Sequence, residues 1–267
     1  MKTNLILCAA VCLFTLSCGG SQQKQSSGNY PIADYLNTLD ETKADSNSSG
    51  WAYWFVPKGE ADTLTIKMSS VWKVVGTHEP HAHNEDEAFF IAQGPVIVHL
   101  NGEERELQTG DFFYTPSNSS HNIRRAGEGP IKYLVMKRET TEKLDKPYTV
   151  AKADYTMDDC TFFPMNDANW ASGAPGRVIA IDENFSDGLR VAMRRVTKDD
   201  AAFQNQEPHA HTQEVIYIVS GQAEVTLDNS EPTVIGPNTS FYCPAGVMHS
   251  IKQVGEEPMV FLAIITY

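Results

Sequence analysis

Glu79-Pro80-His81-Ala82-His83 and Glu207-Pro208-His209-Ala210-His211 are the same five residues, 128 positions apart. Around them the chain repeats itself. At the same offset Phe113-Tyr114 with Pro116 returns as Phe241-Tyr242 with Pro244, and His121 returns as His249. Between these points the offset falls to 127, so that Glu87 matches Glu214, Gly94 matches Gly221 and Leu100 matches Leu227. One residue is missing after the second His pair and is restored before the second Pro. Five identical consecutive residues followed by a compensated shift mark a duplicated domain, each copy of ordinary domain size.

The local signals inside each copy are those of β-structure. Residues 88–92 and 215–219 are short apolar runs, rich in aromatic or β-branched side chains, that stop near Gly94 and Gly221. Val96–Leu100 runs into Asn101-Gly102, a pair suited to a type I′ hairpin because both residues tolerate positive φ. Residues 223–227 run into Asp228-Asn229 in the same place. Many short strands with turn signals and few amphipathic helical stretches imply an all-β sandwich or barrel, here two in tandem. The charged stretch 138–148, with Lys143, Asp145, Lys146 and Pro147, is the expected join, dividing the chain into 31–146 and 147–267.

Composition narrows the function classes. The 267 residues carry 21 Lys and Arg against 34 Asp and Glu, a net charge of −13, with 41% hydrophobic residues. That apolar share is too high for a disordered chain. The acidic balance argues against a nucleic-acid partner, since phosphate backbones are bound by clustered Lys and Arg. No stretch of 18 or more apolar residues marks a spanning helix.

Residues 1–17 are set apart from the fold. Lys2 begins a short positive region, residues 5–16 are apolar, and small residues follow, which is the pattern of a secretory signal. Leu16-Ser17-Cys18-Gly19 resembles the lipobox of bacterial lipoproteins, although Thr15 stands where that family prefers Leu. The resemblance implies lipidation at Cys18, a membrane contact through that anchor, and an exported protein facing the periplasm. Residues 18–30, rich in Ser and Gln, read as a flexible tether. In the remaining chain Cys160 and Cys243 are open to two readings, a disulfide or two separate buried thiols, because sequence does not set their distance.

Side chains alternate across a strand, so both His of a His-X-His face the same way. His81 and His83 therefore point together, Glu87 lies at the start of the next strand, and His121 follows the Pro116 turn. The second copy offers His209, His211, Glu214 and His249. Three imidazoles and one carboxylate suit Mn, Fe, Ni, Co or Zn, one ion per barrel, and disfavour Ca and Mg. Six of the eight His occupy these repeated positions, which sets them apart from isolated core histidines. Other recurring residues have two readings each. Glu79 and Glu207 either orient a ligand or sit in solvent, and Tyr114 and Tyr242 either line cavities or pack the core. Trp51, Trp54 and Trp170 are expected to cover barrels rather than to meet a ligand.

These residues resemble the cupin superfamily, and two copies make the chain look like a bicupin. Its first motif, His-X-His, three or four residues, Glu, six residues and Gly, fits His81, His83, Glu87 and Gly94. The second, Gly-X5-Pro-X-Gly-X2-His, fits Gly110, Pro116 and His121, with Asn118 in place of the later Gly. In the second copy Pro244, Gly246 and His249 fit, Asn238 replaces the opening Gly, and only two residues separate His211 from Glu214. The resemblance implies two double-stranded β-helix (jelly-roll) barrels with a metal in the mouth of each. It also implies an enzyme acting on a small molecule, with the ion as Lewis acid on a sugar-derived or carboxylate substrate in isomerase- or lyase-type proton transfer. An oxygen-dependent dioxygenase on an enediol or phenol and a non-catalytic binding barrel are the alternatives. Catalytic residues and oligomeric state stay open.

Overall fold

The computed structural model describes residues 30–61, 64–73, 79–138, 155–164, 176–181, 189–200 and 207–266. The expected signal, Cys18, Trp170, the join beyond Arg138 and all of the tether but Tyr30 lie outside the described residues. The first copy contributes β1 (Leu36–Thr38), β2 (Asp45–Ser46), β3 (Gly50–Ala61), β4 (Leu64–Val71), β5 (Glu87–Gln93), β6 (Val96–Leu100), β7 (Glu103–Leu107), β8 (Phe112–Thr115), β9 (His121–Arg125) and β10 (Ile131–Arg138). The second contributes α1 (Met157–Cys160), β11 (Thr161–Phe162), β12 (Gly176–Ile181), β13 (Leu189–Val196), β14 (Glu214–Ser220), β15 (Gln222–Leu227), β16 (Thr233–Ile235), β17 (Thr239–Cys243), β18 (His249–Val254) and β19 (Met259–Thr266).

Each copy is a jelly roll made of one large and one small antiparallel sheet. The first has the orders β11-β8-β5-β10-β4-β3-β2 and β7-β6-β9; the second has β1-β17-β14-β19-β13-β12 and β16-β15-β18. The leading strand of each copy crosses to the other. β1 pairs with β17 (Leu36↔Phe241) and β11 pairs with β8 (Thr161↔Phe113). Dividing the chain at residue 146 therefore does not divide the sheets. The reason is that β8 and β17 would otherwise end their sheets with unpaired backbone groups, and the neighbour's leading strand covers each edge.

The large sheets are buried on both faces, which is why β5 and β14 read as continuous apolar runs instead of alternating ones. On β5, Phe89 and Ile91 face the barrel interior with Glu87, while Ala88 and Phe90 face the other barrel. On β14, Ile216 faces inward with Glu214, and Tyr217 packs outward with its ring 5.2 Å from Phe55 of the first copy. The core between the barrels is thus one apolar cluster shared by both.

The turns that carry the motif residues need left-handed backbone, and the two copies satisfy this by exchanging Gly and Asn. Gly110 (φ 97) corresponds to Asn238 (φ 60), and Asn118 (φ 63) corresponds to Gly246 (φ 76). Asn tolerates this region better than other side chains, so the departures from the motif preserve its geometry. Asn101 and Gly102 also have positive φ, as the hairpin reading requires, whereas in the second copy only Asp228 does.

Candidate metal centres

The last His of each group is fixed by the first. His81 N–H donates to the His121 carbonyl at 3.1 Å and His121 N–H returns the bond at 2.9 Å; His209 and His249 do the same at 3.0 and 2.8 Å. Residues paired this way project to one face, and the two-residue period adds His83 and His211 to it. A turn then ties in the second His of each pair. Asn118 N–H donates to the His83 carbonyl at 2.6 Å, and Gly246 N–H donates to the His211 carbonyl at 2.9 Å. The ring spacings match between copies: 4.6 Å for His81–His121 and 4.8 Å for His83–His121, against 4.6 Å for His209–His249 and 4.9 Å for His211–His249.

Glu87 and Glu214 open the equivalent strands β5 and β14. Glu87 oxygens lie 3.5 Å from His83 Nε2 and 3.5 Å from His121 Nε2. A single Glu214 oxygen lies 3.3 Å from both His211 Nε2 and His249 Nε2. The shorter spacing after His211 is absorbed in the loop. His83 Nδ1 is held by the Glu85 carbonyl two residues on at 2.9 Å, while His211 Nδ1 takes the Thr212 carbonyl one residue on at 2.6 Å.

All six rings share that device. Nδ1 of His81, His121, His209 and His249 faces the carbonyl of Glu79, Ser119, Glu207 and Val247 at 3.2, 2.8, 3.3 and 3.0 Å. A carbonyl only accepts, so each Nδ1 carries a proton, and in the neutral ring Nε2 keeps its lone pair. Nε2 of His83, His121 and His249 is buried without a hydrogen-bond partner. Lone pairs and a carboxylate converging within this distance repel unless a proton or a cation lies among them. The donor set therefore fits a divalent transition ion in each barrel.

The electrostatics agree. Burial alone would raise the Glu87 carboxyl, but His121, His83 and the Lys137 charge outweigh it and hold it well below the usual carboxylate range. Glu214 is likewise opposed by burial, yet His211 and His249 lower it to about 2. Its partner His211 is raised by the bond to Glu214, while burial and the neighbouring His249 lower His209.

Glu79 and Glu207 are exposed, and it is their backbone carbonyls, not their carboxylates, that orient His81 and His209. Tyr114 and Tyr242 face away from the cavities. Each phenol donates at 3.3 Å to the residue before the glutamate, Asp86 or Gln213. That anchoring pair was not singled out in the sequence, although both copies place a polar residue there. Cys160 and Cys243 are both buried, and no disulfide joins them. Trp51 packs against the core of the first barrel, its ring centroid 5.4 Å from the Lys132 ammonium.

The cavities above the two centres differ. The first, about 480 Å³, is lined by Lys67, Ser69, Tyr133 and Lys137 among other residues. The second, about 190 Å³, is lined by Arg190 and Arg194 among aliphatic and aromatic groups such as Ile251, Phe261 and Ile265.

This pair of centres in paired jelly rolls is the mark of a known family. Residues 71–137 and 197–265 each match the cupin domain, so the chain belongs to the cupin family with two cupin domains. It is similar to the oxalate decarboxylase OxdC of Bacillus subtilis, 24% identical over 242 residues, covering 70% of this chain and 63% of the relative. It is also similar to the mannose-1-phosphate guanylyltransferase ManC of Salmonella typhimurium, 28% identical over 212 residues, covering 76% of this chain and 40% of that one. The chain thus spans less than two thirds of the length of these relatives. Among solved structures, one describing the Mn(II) centres of the Bacillus subtilis oxalate decarboxylase superposes with TM-score 0.64 at 18% identity, over 91% of this chain and 79% of that one. At that identity the likeness shows the fold alone.

Proposed function

We propose that this chain is a metal-dependent bicupin enzyme acting on a small sugar-derived or carboxylate substrate by isomerase- or lyase-type proton transfer. His81, His83, Glu87 and His121 would hold one ion, and His209, His211, Glu214 and His249 a second. The observation that carries this reading is the set of six imidazoles whose Nδ1 atoms are all tied to backbone carbonyls, leaving Nε2 to face a buried carboxylate. Mn, Fe, Ni, Co and Zn all suit the donors, and Mn(II) is named in the solved relative. A bound divalent ion supplies Lewis acidity to a substrate carbonyl or carboxylate.

The residues around the first centre support binding of an anion. Lys67 and Lys137 line the cavity, with the Lys67 ammonium 5.3 Å from the Trp54 ring centroid. Lys137 is steadied 3.6 Å from Glu85 and 3.5 Å from Glu87. Phe89 and Val135 shield the floor from water, which strengthens these charges.

Metal analysis of the purified protein beside His81→Ala and His209→Ala tests the reading. Each variant is expected to lose one equivalent, and chelation is expected to abolish turnover of sugar acids. Turnover undiminished by complete metal removal would overturn the Lewis-acid account, and oxygen uptake with an enediol would replace it with the dioxygenase one. Export with a lipid anchor at Cys18 is part of the same proposal, supported by the sequence pattern of residues 1–19. Labelled palmitate should enter the wild type and not Cys18→Ser.

A further inference from the structure

The residue before the motif Pro differs between the copies. Cys243 ends β17 and pairs directly with Glu214 at the head of β14, as Thr115 on β8 pairs with Glu87 on β5. Directly paired residues project to the same face, so the sulfur enters the second barrel beside the glutamate, away from the outward phenol of Tyr242. There the Cys243 sulfur, a Glu214 oxygen and a ring nitrogen of His249 lie within 4.8 Å of one another. Cys243 is fully buried. His249 is only 1% exposed, and its Nε2, without a hydrogen-bond partner, lies 3.3 Å from Glu214. Packing alone does not account for the position. In the first copy it holds a hydroxyl, and Thr115 Oγ1 is buried beside Glu87 without a hydrogen-bond partner. Both copies thus keep lone pairs next to the carboxylate donor, oxygen in one and sulfur in the other.

We infer that Cys243 is a further ligand of the second centre, giving it a sulfur donor that the first lacks. The second centre then favours a thiophilic ion such as zinc over manganese more strongly than the first does, because soft thiolate selects zinc while carboxylate and water suit manganese. A neutral hydroxyl is a weak ligand, so Thr115 adds no comparable donor to the first set. Coordination replaces the S–H bond by a sulfur–metal bond, and the proton passes to solvent through the cavity. The extra negative donor is tolerated here because Arg190 and Arg194 line the second cavity, and the Arg194 charge is favoured by Glu214. One carboxylate and one thiolate also balance the two charges of a divalent ion.

This inference rests on the proposed metal reading, and the test separates the two. Cobalt(II) is the probe, because a thiolate on cobalt gives an intense near-ultraviolet charge-transfer band that nitrogen and oxygen donors do not. The metal-free full chain titrated with cobalt is expected to show that band in the wild type and in His81→Ala, where only the second centre remains. Cys243→Thr, which copies the first barrel and leaves every other cysteine in place, is expected to lose the band and still bind two equivalents. In the His81→Ala background, competition against a chromophoric chelator should show the preference for zinc over manganese falling roughly tenfold or more with Cys243→Thr. Thermal melting checks folding, and Cys243→Ser repeats both measurements if the Thr variant melts early. Two equivalents of cobalt with no such band in the wild type, or a band that survives in Cys243→Thr, overturns the inference and leaves the metal reading standing. An unchanged zinc preference in the folded variant also overturns it. A wild type that binds neither cobalt, zinc nor manganese overturns the metal reading itself.

Discussion

Gly246 offers the sharpest test of how the backbone holds a metal ligand. Its φ is +76°, and a Cβ built there meets nothing within 4 Å. Gly246→Ala therefore adds left-handed strain without a clash, a cost of about 1–2 kcal/mol. The N–H of Gly246 keeps its 2.9 Å bond to the His211 carbonyl, so metal affinity of the second site should hardly move. Gly246→Val differs because a β-branched residue does not settle at positive φ. The turn must change conformation, the bond to His211 is lost, and about another 1 kcal/mol goes with it. His211 then loses its support, and the second site should bind metal roughly tenfold to a hundredfold more weakly, as when an outer partner of a ligand is removed. The measurements are urea unfolding of the metal-free protein and competition with a chromophoric chelator, both in a His81→Ala background. If Gly246→Val destabilises as expected yet binds metal at full affinity, the turn does not hold His211 and the reasoning fails. The reciprocal variant Asn118→Gly, at φ 63, should fold at least as well as the wild type.

The pH dependence of the metal-free second site follows from two opposite shifts. Glu214 is lowered from 4.5 to about 2, so its stabilising contribution is present above about pH 4.5 and is lost as pH falls toward 2. His211 is raised above 6.5, so its contribution is full below that value and is lost as pH climbs through the raised one. Melting temperatures should therefore fall from pH 6.5 toward pH 8 without metal, much less so with it, and His211→Gln should flatten this limb. Tyr114→Phe removes the phenol that meets buried Asp86 and should cost about 1–3 kcal/mol in urea unfolding, with weaker metal binding at the first site. Tyr242→Phe, opposite neutral Gln213, should cost less. Cys160 and Cys243 should resist a thiol reagent in the folded protein and both react once it is denatured, whereas a disulfide between them would leave both silent.

Most of the metal centre was legible because its signals are local or repeated. A His-X-His on extended backbone has one geometric outcome, and the second copy confirmed which residues travel with it. The spacing before Glu214 is one residue shorter than that before Glu87, yet the structure brings it to the same place. A loop can lose one residue and still deliver the next strand in register when a different carbonyl holds the ring. The left-handed turns were likewise readable from Asn118 and Asn238. Lys137, Arg190 and Arg194 carry no such local signal. They lie on strands without signature residues, and only pairing with β5 or with β19 turns them toward the site.

What belongs to the sequence is whatever short-range stereochemistry controls: the duplication, the β-periodicity, the left-handed turn positions, and the eight donors grouped as two sets of four. What the tertiary structure decided are the relations between distant strands. These are the exchange of β1 and β11 between copies, the burial of both faces of the large sheets, the six Nδ1 contacts that aim the imidazoles, and the different cations over each centre. Pairing register between segments far apart in the chain is set by the packing of the whole core, and a shift of one residue would turn every side chain to the opposite face. Two barrels with the same ligand set thus acquired unlike cavities through residues that no motif marks.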